Sequence, residues 1–236
     1  WKNAQTLSTD GIRIVGAHTD SPGLHIKTKP DTQTLNWQQL QVEVYGGPLL
    51  ISWLDRDLAI AGHVVLREGT TSLFSSVHPV ARIPQLAIHL DREVNDKGLI
   101  LNRHQHLTPI WATGELANSF DQWLAQQNSV SVSQIASWSA QLVDTQRAQI
   151  FGRNSEFIAS ARIDNQISCW AALSALIADD GDHPMMIALF DHEEVGSQSS
   201  TGAGGPILEH VLERLASASG ATRVDFLTAL QKSHCV

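Results

Sequence analysis

The fold class that the sequence predicts is α/β, with one domain built in two pieces around an inserted β-rich domain. Strand-like and helix-like segments alternate near both ends of the chain, whereas short β-branched runs and turn residues fill the region between them. We therefore expect an outer domain of residues 1–27 and 158–236, with a mixed sheet and flanking helices, and an inserted domain of residues 28–157.

Composition and charge argue against several classes of protein. The chain has 236 residues, of which 24 are acidic and 16 are basic, and its formal charge is −8. No nucleic acid and no anionic membrane is expected as a partner, since both call for a basic face. No apolar run approaches the ~20 residues of a membrane helix. The two cysteines, Cys169 and Cys235, form no CxxC motif, which argues against a disulfide scaffold and favours a reducing compartment such as the cytoplasm.

Four segments of the outer domain show clear periodicity. Residues 12–15 are a β-branched run and predict a strand. A helical stripe follows Asp164, and Gly181 is expected to close that helix. Its members are Ile167, Trp170, Ala171, Ser174 and Ile177. Residues 185–190 form a continuous apolar run, typical of a parallel strand that is buried on both faces. An amphipathic helix comes last, marked by Ile207, Leu208, Val211, Leu212 and Leu215.

The inserted domain is expected to contain strands, turns and two helices. In QVEVYGG the valines alternate with polar residues, and residues 63–67 lead from another β-branched run into the turn-like EGTTS. Such runs are typical of an antiparallel sheet. Residues 113–127 predict a helix with Thr113 as its N-cap, and residues 133–142 predict another. The helical spacing of the first is set by Leu116, Phe120, Trp123 and Leu124.

His18 and Asp20 follow the first predicted strand in the sequence HTD. In an extended backbone, residues two apart point to the same side. His18 would then bind a metal through one ring nitrogen, while Asp20 accepts a hydrogen bond from the other nitrogen and fixes the tautomer. The alternative is a polar loop in which Asp20 begins an Asx-turn before Ser21 and Pro22.

Further carboxylates occur at element boundaries, where α/β sheets place their sites. Asp164 has two interpretations. Either it or Asn165 is the N-cap of the following helix, or its carboxylate spans two metal ions. Glu193 and Glu194 belong to the segment DHEEVGS that directly follows the predicted 185–190 strand. Adjacent carboxylates at the end of a strand are costly unless they are solvated, paired or bound to a cation. One glutamate would bind metal while the other remains free as a general base. The alternative is a solvated acidic loop before a helix N-terminus.

One histidine and three carboxylates at strand and helix ends are together typical of a two-metal hydrolase. Nitrogen and oxygen ligands suit zinc, and manganese or cobalt would also fit. The sequence has no GK[ST] motif, which argues against a P-loop NTPase. It also has no GxSxG motif, which argues against a serine hydrolase with a nucleophile elbow.

Long blocks of the sequence resemble one enzyme family. The blocks are GAHTDSPGLHIK, YGGPLLISWLDRDLAIAGHVVLR, RIPQLAIHL, DTQRAQIFGRNSEFIASARIDN and FDHEEVGSQSSTGA. They resemble the aspartyl aminopeptidase (aminopeptidase I) family of zinc metallopeptidases, stand in the family's order and span nearly the whole chain. The resemblance implies a metallopeptidase domain that is interrupted by a β-rich assembly domain, in agreement with the division at residues 28–157.

The resemblance implies a role for each candidate residue. His18 would bind one zinc ion, Glu194 would bind the other, and Asp164 would bridge both. Glu193 would be the general base, and Asp20 would orient His18. The resemblance thus implies two zinc ions per complete subunit.

The resemblance also implies self-association and a substrate. Family members form dodecamers that are built from dimers, and His89 in LAIHL resembles a histidine that reaches a neighbouring subunit's active site. The family name implies that the residue removed from the peptide substrate is Asp or Glu. A net charge of −8 would not steer an acidic peptide, so a local basic pocket is required.

The ends of the chain indicate a segment of a longer protein. The chain begins at Trp1 without methionine and ends at Val236 after a polar turn. Chains of the family continue past the part that resembles KSHCV, and they supply another metal-binding Asp and a late His. On this expectation the two-metal site is incomplete within residues 1–236, and this segment alone would be inactive and prone to aggregate.

The expected reaction is the removal of an N-terminal residue from a peptide by a water that two metal ions activate. Glu193 would take the proton of this water and pass it to the leaving amine. Two alternatives stay open. One is a metal-dependent deacylase of N-acyl amino acids, and the other is a non-catalytic assembly or binding protein of the same fold.

Overall fold

The computed structural model describes residues 1–3, 10–115 and 118–236, which divide into two compact units. Unit 1 comprises Trp1–Ser21 and Arg162–Val236, and unit 2 comprises Pro22–Ala161. The strands are β1 (Arg13–His18), β2 (Gly23–Thr34), β3 (Trp37–Tyr45), β4 (Leu58–Leu66), β5 (Thr71–Ser75), β6 (Ile110–Thr113), β7 (Ile135–Asp144), β8 (Gln149–Phe151), β9 (Phe157–Ala159), β10 (Met185–Phe190) and β11 (His234–Cys235). The α-helices are α1 (Val94–Lys97), α2 (Phe120–Gln127), α3 (Ile163–Ala178), α4 (Ile207–Ala218) and α5 (Arg223–Lys232).

The boundaries between the units differ from those expected from the sequence. Residues 22–27 and 158–161 were assigned to the outer domain, but they belong to unit 2. The reason is strand pairing, because β2 already pairs with β3 at Gly23 and β9 pairs with β8.

Unit 1 contains a parallel sheet with the strand order β10–β1–β11. β1 pairs with β10 from Arg13 opposite Met185 to His18 opposite Phe190. A parallel sheet with helices confirms the α/β prediction. β1 continues beyond the predicted run of residues 12–15, because each further residue has a partner on β10.

β10 occupies residues 185–190 as predicted, but it is not buried on both faces. Met186 is buried, whereas Leu189 is 41% exposed. β10 lies at the edge of the described sheet, so it has fewer neighbours than the prediction assumed.

The two C-terminal helices of unit 1 pack on this sheet and form a small core. α4 matches the amphipathic helix that the sequence predicts, whereas α5 was not predicted. α5 begins with a capping box, in which Thr222 and Asp225 hydrogen-bond each other's backbone amides. The core consists of Ile12, Ile14, Met186, Leu212, Ala216 and Phe226. None of the described helices is long and apolar enough to cross a membrane.

α3 buries a different face from the one that the helical stripe predicted. Ile167, Trp170 and Ile177 of the stripe are 57%, 67% and 68% exposed. The buried residues of the helix are Cys169, Ala172 and Leu176. Their small or flexible side chains allow α3 to approach β1 closely, and the Cys169 thiol donates to the carbonyl of His18 at 3.1 Å.

Unit 2 is built on an antiparallel sheet with the strand order β5–β4–β7–β2–β3–β6. The predicted strands are confirmed, since QVEVY lies in β3 and residues 63–66 lie in β4. EGTTS begins as the turn between β4 and β5, and its last two residues start β5. Every strand pair in this sheet is antiparallel, as the alternation predicts.

The core of unit 2 lies between this sheet and α2. Phe120 and Leu124 of α2 are fully buried. The Phe120 ring lies 4.9, 5.6 and 6.1 Å from the rings of Trp138, Trp123 and Trp111. The sheet contributes a larger set that includes Leu24, Ile26, Leu40, Val42, Leu58, Ile60, Val64, Ala140 and Leu142.

The predicted helix at residues 133–142 is wrong, because this segment forms β7 after a short 3-10 turn. Ala140 and Leu142 are buried two residues apart, so the hydrophobic period is that of a strand rather than 3.6. β7 pairs with β4 along most of its length, which provides the backbone hydrogen bonds that a helix would otherwise make.

The predicted helix at residues 113–127 is confirmed only in its second half. Thr113 ends β6 opposite Trp37 and is not an N-cap. Ser119 is the N-cap instead, in a capping box with Gln122. Leu116, which the prediction placed on this helix, lies outside the described residues.

Candidate metal centre

The candidate site lies where two parallel strands of unit 1 end. His18 is the last residue of β1 and is paired with Phe190, the last residue of β10. Parallel strands direct their carboxyl ends to the same edge of a sheet, so His18 comes close to the segment that follows Phe190. That segment includes Glu193 and Glu194, which form a short 3-10 helix with Val195.

The His18 ring is buried and oriented by Asp20. Its Nδ1 lies 3.1 Å from the backbone carbonyl of Asp20 and 3.2 Å from Oδ1 of the same residue. Because Nδ1 donates to these oxygens, Nε2 keeps its lone pair for a ligand. Burial lowers the pKa of His18, but its two hydrogen bonds to Asp20 and the charges of Glu193 and Asp20 outweigh this effect, and the pKa is raised.

The Asp20 carboxylate connects the two parts of the site. Its Oδ1 accepts from the backbone amide of Glu193, and its Oδ2 accepts from that of Glu194, both at 3.2 Å. The Asp20 side chain is only 7% exposed. Asp20 therefore fixes the histidine and both glutamates relative to each other, which goes beyond the orienting role that the sequence predicts.

Asp164 lies beside the same histidine. Its Oδ1 is 3.4 Å from Nε2 of His18, and its side chain is 87% exposed. Its backbone carbonyl accepts from the Ser21 hydroxyl at 3.2 Å. Asp164 and Asn165 lie at a kink near the start of α3, where their φ and ψ angles are not helical. The capping alternative therefore stays open beside the metal-binding one.

Glu193 and Glu194 complete a compact cluster with His18. One ligand atom from each of the three residues can be chosen so that all lie within 4.8 Å of one another. Oε2 of Glu193 is 3.7 Å from Nε2 of His18. Burial raises the pKa of Glu194, and the negative charges of Glu193, Asp20 and Asp164 raise it further against the opposing effect of His18.

This arrangement fits a divalent cation. Four carboxylates lie near the His18 imidazole, which can be neutral. The repulsion among their negative charges is relieved when a cation binds. The donors are one ring nitrogen and carboxylate oxygens, which is a ligand set that zinc accepts. The geometry does not separate a ligand glutamate from a free one, because both Glu193 and Glu194 belong to the cluster.

Several residues that the sequence did not single out hold the His18–Asp20 segment against α3. Gln166 donates to the carbonyl of Thr19 at 3.0 Å, and Cys169 donates to that of His18. Thr19 in turn donates its hydroxyl to the carbonyl of Phe190 at 3.2 Å. Each of these bonds joins a side chain to a backbone carbonyl far away in the sequence, so no local sequence pattern predicts it.

His192 has a structural role that the sequence did not reveal. Its φ is +61°, in the left-handed region, and it initiates the turn that carries the two glutamates. Its Nδ1 lies 2.9 Å from the hydroxyl of Ser199, and its amide donates to Asp191 Oδ1 at 2.9 Å.

His89 is located in the other unit. It lies in an exposed turn of unit 2, in the segment between the buried Ile83 and α1. The sequence predicts that it contacts a neighbouring subunit, and this role stays a prediction.

Comparison with protein-family models gives one match that covers almost the whole chain. The model described as aminopeptidase I zinc metalloprotease (M18) matches residues 3–236. The match includes the cluster of His18, Glu193 and Glu194 and the neighbouring Asp20 and Asp164.

Curated relatives agree with this match but are longer. The probable M18 family aminopeptidase 2 of Streptomyces coelicolor is 43% identical over 232 residues, which cover 95% of this chain and 54% of the relative. The corresponding protein of Streptomyces avermitilis is 44% identical over the same coverage. The chain thus spans about half the length of the curated relatives it matches.

Solved structures with the same fold include those of Ape4, prApe1 and mApe1. Ape4, in its complex with Nbr1, is 29% identical with a TM-score of 0.86, and the match covers 100% of this chain and 49% of that one. prApe1 is 27% identical with a TM-score of 0.82, over 100% and 54% of the two chains. The mApe1 dodecamer of S. cerevisiae is 27% identical with a TM-score of 0.73, over 94% and 51%.

Proposed function

Because the chain belongs to the aminopeptidase I (M18) family of zinc metalloproteases, we propose that the protein is an aminopeptidase that removes N-terminal residues from peptides. The observation that carries this proposal is the cluster of His18, Glu193 and Glu194 at the ends of β1 and β10. Asp20 and Asp164 stand next to it and extend the set of acidic groups.

We propose that zinc is held by His18, Glu194 and Asp164. His18 offers Nε2 because its Nδ1 is engaged by Asp20. Asp164 is suited to bridge two ions, since its exposed carboxylate is adjacent to His18 and has a free approach. The number of two ions per complete subunit follows the family resemblance, and manganese or cobalt would fit the same donors. Zinc in such a site supplies Lewis acidity.

Glu193 is proposed as the general base. Its carboxylate is about half exposed, so that a water molecule can reach it. It would take a proton from the attacking water and return it to the leaving amine. Asp20 would hold the backbone of Glu193 and thereby keep its carboxylate beside His18.

The proposed substrate is a peptide with a free N-terminus and an acidic first residue. The acidic preference rests on the resemblance to aspartyl aminopeptidases. Since the net charge is −8, an acidic residue needs a local basic pocket for binding. The proposed compartment is the cytoplasm, because Cys169 and Cys235 are both free thiols.

Self-association is also proposed. A dodecamer is named for mApe1, to which this chain is similar. We propose that this protein likewise assembles from dimers into a dodecamer and that His89, exposed on unit 2, reaches the active site of a neighbouring subunit.

The test uses the protein expressed from its complete gene. Bound metal would be measured by elemental analysis after gel filtration. Hydrolysis of aminoacyl p-nitroanilides would be measured before and after treatment with a chelator. We expect bound zinc, hydrolysis of the Asp and Glu substrates, loss of activity with the chelator and recovery with added zinc. An active, metal-free protein would overturn the proposed chemistry.

The same assay separates the competing reactions. Free-amine Asp, Glu, Leu and Ala substrates would be compared with N-acetyl-Asp and N-acetyl-Glu at equal concentrations. Preference for the N-acetyl compounds would indicate a deacylase. Bound metal without hydrolysis of either series would indicate a non-catalytic protein.

A further inference from the structure

Asp164 belongs to the candidate metal centre, but its position there does not follow from its neighbours in the sequence. Between Ser21 and Arg162 the chain runs through the whole of unit 2, and Ser21 and Asp164 are 143 positions apart. The ends of so long a connection separate unless contacts between them hold them together. Contacts within unit 1 must therefore keep Asp164 beside His18.

The side chain of Asp164 contributes little to its own placement. It is 87% exposed, although its Oδ1 lies 3.4 Å from Nε2 of His18. The backbone at Asp164 and Asn165 is not helical, so regular helix geometry in α3 begins only after these two residues. The Ser21 hydroxyl donates to the Asp164 carbonyl at 3.2 Å. One such bond leaves the start of α3 able to pivot, and further links are needed to fix it.

Gln166 and Cys169 of α3 supply those links. Gln166 donates its side-chain amide to the carbonyl of Thr19 at 3.0 Å, and Cys169 donates its thiol to the carbonyl of His18 at 3.1 Å. The two donors are three residues apart and therefore lie on one face of the helix. The two acceptors are adjacent in the chain. Together the two bonds fix both the distance and the direction of the start of α3 relative to the end of β1.

The segment that accepts these bonds is attached to β10 on its other side. The amide and the hydroxyl of Thr19 donate to the carbonyl of Phe190, the last residue of β10, at 2.9 and 3.2 Å. β1 and β10 therefore stay together without help from α3. A shift of α3 would move Asp164 away from His18 while β1, β10 and the segment after β10 keep their places.

We propose that Gln166 and Cys169 are positioning residues of the metal centre and that they hold Asp164 at its distance from His18. The inference rests on the proposed binding of zinc by His18 and Asp164. It goes beyond that proposal by naming two residues that act through the backbone rather than on the metal. Loss of either bond should weaken zinc binding about 2–10-fold, which corresponds to the net free energy of one hydrogen bond.

Gln166 is tested first, because it is exposed and its replacement should leave the fold intact. Gln166→Met keeps the length of the side chain and a good helix propensity but removes the donor. Gln126→Met, the same change at an exposed residue of α2 in unit 2, is the matched control. Zinc affinity is measured by isothermal titration in the protein expressed from its complete gene. The visible absorption of the cobalt-loaded protein reports the coordination geometry.

We expect Gln166→Met to bind zinc about 2–10-fold more weakly and to change the cobalt spectrum, and Gln126→Met to match the wild type. Equal zinc affinities and equal cobalt spectra in the wild type and both variants overturn the proposal.

Cys169 is tested with two replacements that differ in the donor. Cys169→Ser keeps a hydroxyl that can donate to the carbonyl of His18, whereas Cys169→Ala does not. If Cys169 served packing alone, alanine would be at least as good as serine, because a buried hydroxyl without a partner costs free energy. We expect the zinc affinity and the cobalt spectrum of Cys169→Ser to stay near those of the wild type and those of Cys169→Ala to change. An alanine variant that binds zinc as tightly as the serine variant overturns the proposal.

The outcomes separate this inference from the proposed function. A wild type that binds neither zinc nor cobalt removes the proposed metal centre and this inference together. A wild type that binds zinc and hydrolyses aminoacyl p-nitroanilides, with unchanged zinc affinity in Gln166→Met and Cys169→Ala, removes only the positioning role. Zinc binding that both variants weaken, in a protein without hydrolysis, supports the positioning role and removes the enzyme.

Discussion

The two units differ in the extent of their buried apolar cores. Unit 2 has a continuous core between its six-stranded sheet and α2, with Phe120 and Leu124 completely buried. Unit 1 has a smaller core, and much of the apolar surface of α3 is exposed. The candidate metal centre is nevertheless in unit 1. The comparison indicates that burial of apolar side chains stabilises unit 2. The described sheet of unit 1 has only three strands, and it carries polar groups at its end whose burial costs free energy.

The backbone around the site supports the same distinction. Arg162 and His192 have φ of +60° and +61°, and they directly precede the segments that carry Asp164 and the two glutamates. Non-glycine residues in the left-handed region are strained and tend to occur at functional sites. In unit 2, by contrast, Leu35 has a positive φ in the tight turn between β2 and β3. Positive φ angles thus occur beside the candidate site in unit 1 and, among other places, in a tight turn of unit 2.

The largest expected effect concerns catalysis in unit 1. Glu193→Gln should lower kcat about 10²–10⁴-fold, because the amide cannot accept the proton of the attacking water. The zinc content and the free energy of unfolding should stay near those of the wild type, since the amide has nearly the same shape. Glu209→Gln, at the exposed start of α4, is the matched control.

A loss of zinc together with activity in Glu193→Gln would change the assignment. Glu193 would then be a ligand, as its place in the cluster with His18 permits. Glu194→Gln would in that case be the variant that keeps metal and loses turnover. Steady-state kinetics and elemental analysis on both variants decide between the two glutamates.

The next effect is on stability and belongs to unit 2. Phe120→Ala should lower the free energy of unfolding of unit 2 by about 3–5 kcal/mol, because a buried ring is replaced by a cavity. Trp111, Trp123 and Trp138 lie close to Phe120, so tryptophan fluorescence in urea reports this unit. Zinc affinity should be unchanged.

Phe226→Ala is the matched change in the core of unit 1. Phe226→Ala should lower the zinc affinity more than Phe120→Ala does. It should shift the urea transition of the tryptophan fluorescence less. If both variants lower zinc affinity and stability alike, the two units unfold as one, and the contrast between them does not hold.

The sequence predicts which polar residues the structure brings together better than it predicts some of the elements around them. HTD, Asp164 and the adjacent glutamates could be found because each follows a strand or precedes a helix, and element ends are visible in a sequence. The helix predicted at 133–142 failed because its serines and alanines fit both periods, and only pairing with β4 decides for a strand. The stripe on α3 marked the exposed face, since the buried face consists of smaller side chains.

The hydrogen bonds between the residues of the site could not be predicted from the sequence. Asp20 accepts from two backbone amides 173 and 174 residues away. Backbone donors have no sequence signature, so their partners appear only when β1 and β10 are paired. The sequence therefore gave Asp20 a role toward His18 alone.

Asp20→Asn tests this connection with a smaller expected effect. Zinc affinity should fall about 10–100-fold, as is typical when a residue that orients a ligand is changed. Oδ1 of Asp20 accepts from His18 and from the amide of Glu193, and Oδ2 accepts from the amide of Glu194. An asparagine has only one acceptor oxygen, so at least one of these three bonds is lost. Isothermal titration with zinc measures the effect, and Asp10→Asn, exposed before β1, is the control. Unchanged affinity would show that the three bonds do not position the ligands.

The smallest expected effect is a difference in pH dependence between carboxylates of the two units. Asp31 of unit 2 accepts from the Phe120 amide at 3.0 and 3.1 Å. Burial raises its pKa and so does the charge of Asp121, against the opposing effect of that hydrogen bond. Asp225 of unit 1 accepts from the amide and hydroxyl of Thr222 at 2.9 and 2.6 Å, and these bonds lower its pKa.

The two shifts have opposite consequences for stability. The folded state holds the Asp31 proton more tightly than the unfolded state, so its contribution is full below the ordinary pKa and is lost as the pH rises through the raised one. Asp225 contributes above its ordinary pKa and loses the contribution as the pH falls through the lowered one. Asp31→Asn should therefore gain stability relative to the wild type as the pH rises from about 4 to neutrality, by less than about 1 kcal/mol because the carboxylate is partly solvated. Asp225→Asn should instead lose stability relative to the wild type as the pH rises in the range below about pH 4. Urea unfolding of both variants across this range measures the two slopes, and slopes of the same sign would contradict the assignment of burial to one unit and capping to the other.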